Sequence, residues 1–363
     1  MSTAPRFVAT CSTAPDRRDW AERHFDAWYD ELAAGQAVDR RDPATWRREE
    51  LRAELAEPAA GVVVHWVLAL DAQGAAVGAA EVRLPVQDNT HVAGVTLSVG
   101  PAHRRRGVGT ALLEHVLDLA EGLGRTTVRT SVERPTDADA DTWPGLVALR
   151  RWGFAAGLQE ARRQLALPVP SGRLAALEEG ARGHAAGYAV RTHAGPVPEA
   201  EVDAVARLMS RMSTDAPSGD LVVEPEVWDG ARVREAEALR AAQGRGQWLA
   251  VAAAPDGELV GYTMLVASAH EPERLLQWDT LVLREHRGHR LGMLLKVACL
   301  RAAVAGAPRA RRVTTWNAVS NTPMIAVNEA LGFVWDETVE EREAPVSAVR
   351  AALAGAYSLR NRT

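Results

Sequence analysis

Cysteine and long apolar runs are both scarce in this chain. Its 363 residues include two cysteines, Cys11 and Cys299, too few for a disulfide framework or a cysteine metal site. Cys299 falls within an apolar helical pattern, where a free cysteine behaves as a small core residue. No segment approaches the roughly 18 apolar residues of a membrane helix, and the first residues lack the basic start and apolar core of a signal peptide. We therefore expect a cytoplasmic protein that does not enter a membrane.

Basic tracts are also absent. The chain has 42 Lys and Arg against 47 Asp and Glu, a formal net charge of −5, and a single lysine, Lys296. Because nucleic-acid binding needs clustered basic side chains, we expect no nucleic-acid partner. A hydrophobic share of 47% and a charged share of 25% are typical of a globular protein, and this length fits two domains.

The chain does contain an internal repeat. Residues 99–113 read VGPAHRRRGVGTALL, and residues 282–295 read VLREHRGHRLGMLL. The same offset of 183 residues relates four pairs of positions, Gly78 and Gly261, Val99 and Val282, Arg104 and Arg287, and Gly109 and Gly292. A repeat of this length indicates two copies of one domain rather than a solenoid.

Each half predicts the same series of elements. A strand and two helices precede a two-stranded hairpin; a fourth strand then leads through the repeat loop into a helix, followed by a fifth strand and a short helix that ends at Gly-Phe. A proline and glycine break at 168–172 separates the halves. We expect α/β domains at 1–170 and 186–363, joined by a linker helix within 171–185, each a mixed, mostly antiparallel sheet flanked by helices.

The repeat loop is typical of a phosphate site. It places Arg-x-x-Gly-x-Gly between a strand and a helix, whose first N–H groups lack intrahelical partners and whose dipole favours anions. Neither the Gly-x-x-x-x-Gly-Lys-Ser/Thr loop of nucleoside triphosphatases nor the early-strand Gly-x-Gly-x-x-Gly of dinucleotide binders is present. A bound phosphate group of another kind is therefore expected.

Together with the fifth strand and the terminal Leu-Gly-Phe, this loop resembles the GNAT acyltransferase superfamily, along nearly the whole chain and twice. The resemblance implies two tandem GNAT-like domains in which the loop holds the pyrophosphate of acetyl-CoA and the fourth and fifth strands splay around its pantetheine arm. The implied cofactor-binding residues are Val99, Arg104, Arg105, Arg106, Gly107, Val108, Gly109 and Thr110 in the first copy, and Val282, Arg287, Gly288, His289, Arg290, Leu291 and Gly292 in the second.

The second loop departs from the family pattern, since Arg290 stands where the first copy has Gly107. If Arg290 is right-handed helical, a side chain is tolerated there, and its guanidinium can contact the phosphates, so we expect a modified site rather than a lost one. The alternative is that Arg290 fills the groove.

The two halves differ at the positions of catalysis. Many GNAT members carry an asparagine and, seven residues later, a tyrosine that serves as general acid; the first half has Thr142 and Leu149, the second Asn321 and Asn328. By resemblance, Asn328 steadies the thiolate of CoA, while Asn321 binds substrate, caps a helix, or does both. Asp279 lies in an apolar strand, where burial would raise its pKa and suit it as general base. The alternative role for Asp279 is a hydrogen bond to a neighbouring loop.

Glu81 is the best carboxylate of the first half, but its hairpin position predicts a solvated side chain. In mycothiol synthases, whose tandem architecture this chain resembles, the C-terminal domain is catalytic and the N-terminal domain holds acetyl-CoA without turnover. We expect the same division here. The alternatives left open are a non-catalytic acyl-CoA-binding protein and an active site in the first half.

The acceptor is expected under the loop between the first two helices of the second half. There four carboxylates, those of Asp215, Asp220, Glu224 and Glu226, suit a cationic amine, although such a loop can also be merely solvated. His286 and His289 flank the loop arginine without a third ligand, so we expect no metal. The sequence thus predicts an acetyl-CoA-dependent N-acetyltransferase acting on a small-molecule amine, as a monomer or homodimer, with residues 345–363 packing across the domain interface or between subunits.

Overall fold

The protein is described by a computed structural model that covers residues 4–360. Contacts divide the chain into two units, which do not follow the two halves of the sequence. Unit 1 contains the residues up to 158 together with those from 339 onward, and unit 2 contains residues 159–338. Strands and helices are numbered along the chain.

Unit 1 is a sheet with helices on both faces. Its strands are β1 (Arg6–Cys11), β2 (Val62–Leu70), β3 (Ala76–Pro85), β4 (Val92–Ser98) and β5 (Thr127–Pro135), followed at the edge by residues 339–345 of β12 (Val334–Pro345). Its helices are α1 (Arg17–Ala37), α2 (Arg48–Ala56), α3 (Val108–Gly122), α4 (Pro144–Arg151) and α10 (Val346–Arg360). Neighbouring strands from β1 to β4 are antiparallel, and β4 and β5 are parallel.

The apolar run of β2 is explained by burial on both faces. Side chains alternate along a strand, so Val67 and Ala69 pack with α3 and α10, while Trp66 and Leu68 pack with α1 and α2. A strand covered on one face alone would alternate between apolar and polar residues. The continuous pattern therefore places helices on both sides of the sheet.

Unit 2 repeats this architecture. Its strands are β7 (Ala189–Ala194), β8 (Arg245–Ala253), β9 (Leu259–Ser268), β10 (Glu271–Val282) and β11 (Arg312–Ala318), followed by residues 160–166 of β6 (Ala155–Ala166). Its helices are α5 (Ser171–Arg182), α6 (Val202–Asp215), α7 (Gly230–Ala242), α8 (Leu291–Gly306) and α9 (Thr322–Leu331). Pairing is antiparallel except between β10 and β11. The mixed, mostly antiparallel sheet flanked by helices is thereby confirmed in both units.

The last strand of each unit comes from the other half of the sequence. Residues 160–166, in the first half, pair antiparallel with β11 of unit 2, whereas residues 339–345, in the second half, lie beside β5 of unit 1. The contact units therefore differ from the expected boundaries at 1–170 and 186–363. The repeat could not show this exchange, because either copy of the strand matches either sheet.

Helix α10 follows the exchanged strand into unit 1. Its apolar face, formed by Val346, Val349 and Leu353, belongs to the core that α3 makes with the sheet. These side chains come from the second half of the sequence and pack on α3 from the first half, so the expected packing across the boundary between the halves is observed, and the apolar face is buried within unit 1. Residues 361–363 of the expected segment lie outside the described residues.

The repeated glycines Gly78 and Gly261 have the same structural cause. A Cβ on Gly78 would lie 2.9 Å from the Leu112 side chain, and a Cβ on Gly261 would lie 2.8 Å from the Leu281 carbonyl oxygen and 3.3 Å from the Leu295 side chain. In both units the helix after the repeat loop therefore crosses the sheet closely at a residue without a side chain.

Candidate active site

Both repeat loops are closed by the same hydrogen bond. Arg104 Nε donates to Val99 O at 3.0 Å in unit 1, and Arg287 Nε donates to Val282 O at 3.1 Å in unit 2. Each loop arginine thus ties the loop back to the end of the preceding strand, although the rest of each side chain has different partners.

The backbone of the two loops is also the same. Left-handed residues occupy equivalent positions, Arg105 (φ 62°) and Gly107 (φ 88°) in the first loop and Gly288 (φ 88°) and Arg290 (φ 53°) in the second. The right-handed conformation considered for Arg290 is therefore not the one observed. Each loop therefore has one arginine and one glycine in the left-handed conformation. This conformation costs a residue other than glycine roughly 1–2 kcal/mol.

The helices that follow present free backbone donors to the loops. The first intrahelical bond of α3 is donated by Ala111 N–H to Gly107 O, so the preceding N–H groups of the helix make no such bond. A Cβ on Gly292, at the start of α8, would meet no protein atom within 4 Å. Protein packing thus does not require this glycine, and the space beside it fits the close approach of a phosphate.

Side chains of the second loop contact α5 and the residues just after it. Arg290 Nη1 donates to Gly180 O at 3.2 Å, and His289 Nδ1 lies 3.0 Å from His184 O. The Arg290 guanidinium is thereby held against α5. Within residues 4–360 no group of three or more potential metal ligands is present, and no helix there could cross a membrane.

The parallel strands splay apart in both units. Pairing of β4 with β5 ends at Gly94 and Arg129, although β4 continues to Ser98. Pairing of β10 with β11 ends at Gln277 and Thr315, although β10 continues to Val282. Each sheet is therefore open beside its repeat loop, as the resemblance implies for the pantetheine arm.

A β-bulge distinguishes β10 from β4. Gln277 pairs with Leu265 and Thr280 with Thr263, so β10 holds one residue more than β9 between these pairs. The bulge contains Asp279, whose carbonyl oxygen accepts a hydrogen bond from Thr263 Oγ1 at 3.0 Å. The register of β3 with β4 runs without interruption through the equivalent positions. Unit 1 therefore has no counterpart of this bulge.

The Asp279 carboxylate is partly buried and bonded to a tyrosine. Its Oδ2 accepts from Tyr262 OH at 3.0 Å. Burial raises the pKa of Asp279; the bond from Tyr262 opposes this increase, the charge of Glu226 adds to it, and the charge of Arg240 reduces it. Burial also raises the pKa of Tyr262 well above its ordinary value, so the tyrosine keeps its proton and remains a donor. The hydrogen-bond partner of the Asp279 side chain is thus Tyr262 on β9, and not a residue of a neighbouring loop.

Asp279 faces a cavity of about 240 Å³ between α6, the segment before α7, and the bulge. Its lining residues are Met209, Met212, Ser213, Glu226, Trp228 and Asp279. Two serines on α6 hold the segment in place: Ser213 Oγ accepts from Glu226 N–H at 3.0 Å, and Ser210 Oγ accepts from Trp228 N–H at 2.8 Å. The site therefore combines two carboxylates with apolar walls.

Three of the four loop carboxylates expected at the acceptor site lie elsewhere. Asp215 bonds Arg211 and Arg287, and Asp220 and Glu224 are exposed. Among the described residues that line the cavity, none of these three is present. It is Glu226, at the end of the same acidic loop, that contributes the second carboxylate.

The two expected asparagines differ in role. Asn321 caps α9, because its Oδ1 accepts from Met324 N–H at 3.3 Å. Asn328 is fully buried; its Oδ1 accepts from Lys296 Nζ at 2.9 Å, and its Nδ2 donates to Asn317 Oδ1 at 2.5 Å. Asn321 thus has the role of a helix cap. Asn328 instead belongs to a series of hydrogen-bonded polar side chains inside unit 2.

In unit 1 the corresponding face is filled. Trp28 is completely buried and its Nε1 donates to Ala80 O at 3.0 Å. Glu81 is also buried, with a pKa raised by burial, and bonds Arg83 at 3.2 Å, so the expectation of a solvated Glu81 is wrong. Arg83 also bonds Glu54. The tryptophan and this ion cluster thus occupy the face of the unit 1 sheet that corresponds to the Asp279 face of unit 2.

Two other differences separate unit 1 from unit 2. Leu149, at the position of the family's tyrosine, is buried in the apolar core, and Thr142 bonds Asp139. Beside the first loop, Glu31 Oε2 accepts from Gly100 N–H at 3.3 Å. A carboxylate there disfavours a second anion at the start of the loop.

Several site residues were not found by sequence reasoning. Tyr262 replaces Ala79 of the first copy, which is a readable difference between the repeats. Met209, Met212, Ser213 and Trp228 carry no comparable signal, because their contribution depends on how α6 and the segment before α7 pack over β10.

Comparison with known proteins agrees with this architecture. The profile of the Acetyltransferase (GNAT) family matches residues 18–141 and 213–333. A tandem GNAT protein from the clavulanic acid biosynthesis pathway, solved without acetyl-CoA, is 28% identical, with a TM-score of 0.74 over 94% of this chain and 98% of that one. A GCN5-related N-acetyltransferase from Sphaerobacter thermophilus is 17% identical, with a TM-score of 0.62 over 95% and 97% of the two chains, and shows the fold alone. Comparison with curated protein sequences gives no match.

Proposed function

Because the chain belongs to the acetyltransferase (GNAT) family and is an acyl-CoA-dependent N-acetyltransferase, we propose that unit 2 transfers an acetyl group from acetyl-CoA to the amine of a small cationic molecule. The observation that carries this proposal is the partly buried Asp279, set on a bulge against a cavity that Glu226 also lines. Unit 1 has neither the bulge nor the carboxylate at that position.

Asp279 is the general base. Burial raises its pKa, and a base with a pKa closer to neutrality accepts a proton from an ammonium more readily than an ordinary aspartate does. Tyr262, bonded to Oδ2, fixes the orientation of the carboxylate. Once Asp279 has taken the proton, the lone pair of the amine is free to attack the thioester carbonyl.

Glu226 and the apolar walls select the acceptor. The negative charge of Glu226 attracts a cation, while Trp228 and Met209 contact an apolar stem. A cavity of about 240 Å³ lies below the roughly 300–1,000 Å³ of sites for drug-sized ligands, which favours a small amine. The similar tandem GNAT protein belongs to the clavulanic acid biosynthesis pathway, which favours a small biosynthetic intermediate as the acceptor here.

Acetyl-CoA supplies the acetyl group as a thioester when bound. In unit 2 the residues that would hold its phosphates are Arg287, Gly288, His289, Arg290, Leu291 and Gly292, and the splay after Gln277 would admit the arm that carries the thioester. Asn328 would steady the sulfur. Unit 1 would hold a second acetyl-CoA through its own loop without turnover, since Trp28 fills its acceptor face.

Matched substitutions of the two loop arginines test this division. Arg104→Ala and Arg287→Ala each remove an Nε bond to the preceding strand, at 3.0 and 3.1 Å. Titration calorimetry with acetyl-CoA counts the sites, and release of the CoA thiol measures turnover with a panel of small amines. We expect Arg287→Ala to lose turnover and Arg104→Ala to keep it.

Each outcome has a definite meaning. Turnover that survives Arg287→Ala but not Arg104→Ala would move the active site to unit 1. Binding without transfer to any amine would favour a non-catalytic acyl-CoA-binding protein. A single calorimetric site lost with Arg287→Ala would mean that Glu31, beside the first loop, keeps acetyl-CoA out of unit 1.

A further inference from the structure

A buried chain of three polar side chains crosses the interior of unit 2. Lys296 on α8 donates to Asn328 on α9 at 2.9 Å, and Asn328 donates to Asn317 on β11 at 2.5 Å. Lys296 and Asn328 are 1% and 0% exposed, whereas Asn317 is half-buried. The chain therefore links a buried ammonium to a residue at the surface of the sheet.

The direction of this chain is fixed by chemistry. When protonated, Lys296 only donates hydrogen bonds, so Asn328 then turns its oxygen toward Lys296 and its NH₂ group away from it. The NH₂ group has two hydrogens, and among the described residues only Asn317 accepts one. One hydrogen of Asn328 Nδ2 is therefore left for another acceptor.

The far end of the chain lies where the sheet opens. Asn317 follows Thr315, the last β11 residue that pairs with β10, by two positions and so shares its face of the strand. The opening beyond this pair is the proposed path of the pantetheine arm. The free donor of Asn328 thus belongs to the part of unit 2 where the CoA sulfur would lie.

Lys296 has no neutralising partner. Among the described residues no carboxylate bonds it. Its nitrogen also lies 5.7 Å from the centre of the Phe333 ring, a cation–π contact. The titratable group that affects it is Cys299 on the same helix, a thiol that burial keeps neutral by raising its pKa to about 12. Burial lowers the pKa of Lys296 to about 7. Burial of an ammonium without a counter-charge costs folding free energy. Ionisable groups perturbed in this way cluster at functional sites.

We propose that Lys296 is a positioning residue for the leaving group: its ammonium orients the Asn328 amide toward the CoA sulfur and stabilises the negative charge that forms there. The inference rests on the proposed function of unit 2. In many relatives a tyrosine hydroxyl at the position of Asn328 assists the leaving thiolate. Here the Asn328 amide and the Lys296 ammonium together take that role.

The transfer step balances with these groups. The ammonium of the acceptor loses two protons in all, the first to Asp279. The amine nitrogen then forms a bond to the acetyl carbon, the bond from that carbon to sulfur breaks, and its electron pair stays on sulfur. The second proton passes from nitrogen to sulfur, which gives the thiol of CoA. Lys296 keeps its own protons and acts while sulfur carries the charge.

The single lysine of the chain makes a direct test available. In protein labelled with ¹⁵N and ¹³C lysine, the side-chain signals report Lys296 alone, and their pH titration gives its pKa. We expect CoA to raise this pKa more than desulfo-CoA does, because the negative charge of the thiolate favours the ammonium. Equal effects of CoA and desulfo-CoA would show that Lys296 does not sense the sulfur and would overturn the proposal.

Kinetics of Lys296→Met give a second test. We expect kcat to fall about 10- to 100-fold with little change in the KM of the amine, and no further loss when Lys296→Met is added to Asn328→Ala, since the two residues act as one unit. Loss of the buried charge favours the folded state, whereas the Asn328 oxygen loses its donor, so melting temperatures are measured alongside kcat to separate unfolding from loss of catalysis. Cys299→Ala, one turn along α8, is the control for disturbance of the core and should keep its kcat.

Asp279→Asn separates failure of this inference from failure of the proposed function. If Asp279→Asn loses turnover while Lys296→Met retains it, unit 2 is the active site and Lys296 has no part in the reaction. If Asp279→Asn itself keeps full turnover, the proposed active site is wrong, whatever Lys296→Met does.

Discussion

Asp279→Asn is the substitution that tests the proposed base most directly. The amide has the shape of the carboxylate, and its oxygen can still accept the hydrogen bond that Tyr262 now donates at 3.0 Å. The variant therefore loses the proton-accepting group while the local geometry is kept. General bases contribute about 10²- to 10⁴-fold, so we expect kcat to fall by that factor, which corresponds to roughly 3–5 kcal/mol in the barrier.

The stability of the variant should change with pH in a stated direction. Burial raises the pKa of Asp279 in the folded protein, so the folded state binds this proton more tightly than the unfolded state does. The wild type is then most favoured at pH values below the ordinary pKa of aspartate and loses stability as the pH rises through the folded pKa. Asp279→Asn has no such loss, so its melting temperature relative to the wild type should increase across this window.

The assay is release of the CoA thiol across a pH series, with thermal melts of both proteins at each pH. Glu226→Gln is the matched control, since Glu226 lines the same cavity and its charge raises the pKa of Asp279. It should move the acid limb of kcat/KM to lower pH and raise the KM of a cationic amine while keeping most of kcat. Unchanged kcat in a folded Asp279→Asn protein would refute the reasoning.

Two further predictions concern neighbouring positions. Tyr262→Phe removes a bond that favours the ionised form of Asp279, so the acid limb of kcat/KM should move to higher pH; a shift to lower pH would contradict this assignment. Gly261→Ala places a Cβ 2.8 Å from a carbonyl oxygen and should cost about 1–3 kcal/mol in urea unfolding. Gly172→Ala in α5, where a Cβ meets nothing within 4 Å, should instead be neutral or stabilise by about 0.5–1 kcal/mol; equal destabilisation of both variants would show that the close approach at Gly261 is not the cause.

Most of the repeated elements could be predicted because their signals are local. The helix expected after the first repeat loop is observed at Val108–Gly122, and the first strand of the expected hairpin is observed at Val62–Leu70. Apolar periodicity and glycine spacing record which face of an element is buried and where the chain turns. They do not record which neighbour covers that face, so the origin of the last strand in each sheet was not predictable.

In the candidate site, too, the sequence indicates residue types and the tertiary packing decides their positions. The sequence indicated Asp279 as an ionisable residue in an apolar strand, and the structure adds the bulge that directs it to a cavity. The loop carboxylates were indicated as a group, yet only packing of the loop on α6 brings Glu226, and not Asp215, to that cavity. A residue type reveals which chemistry is available; its neighbours in space decide whether that chemistry is used.

The amino-acid sequence by itself determined the duplication, the order of elements, the two phosphate-type loops and the loss of the family's tyrosine from both copies. Tertiary structure alone decided the exchange of the last strands, the left-handed Arg290, and the contact of Lys296 with Asn328 across 32 positions. The physical reason is the separation along the sequence over which each kind of interaction acts. Backbone preferences and periodic burial act between residues a few positions apart, whereas sheet register, ion burial and cavity shape arise when distant segments pack together.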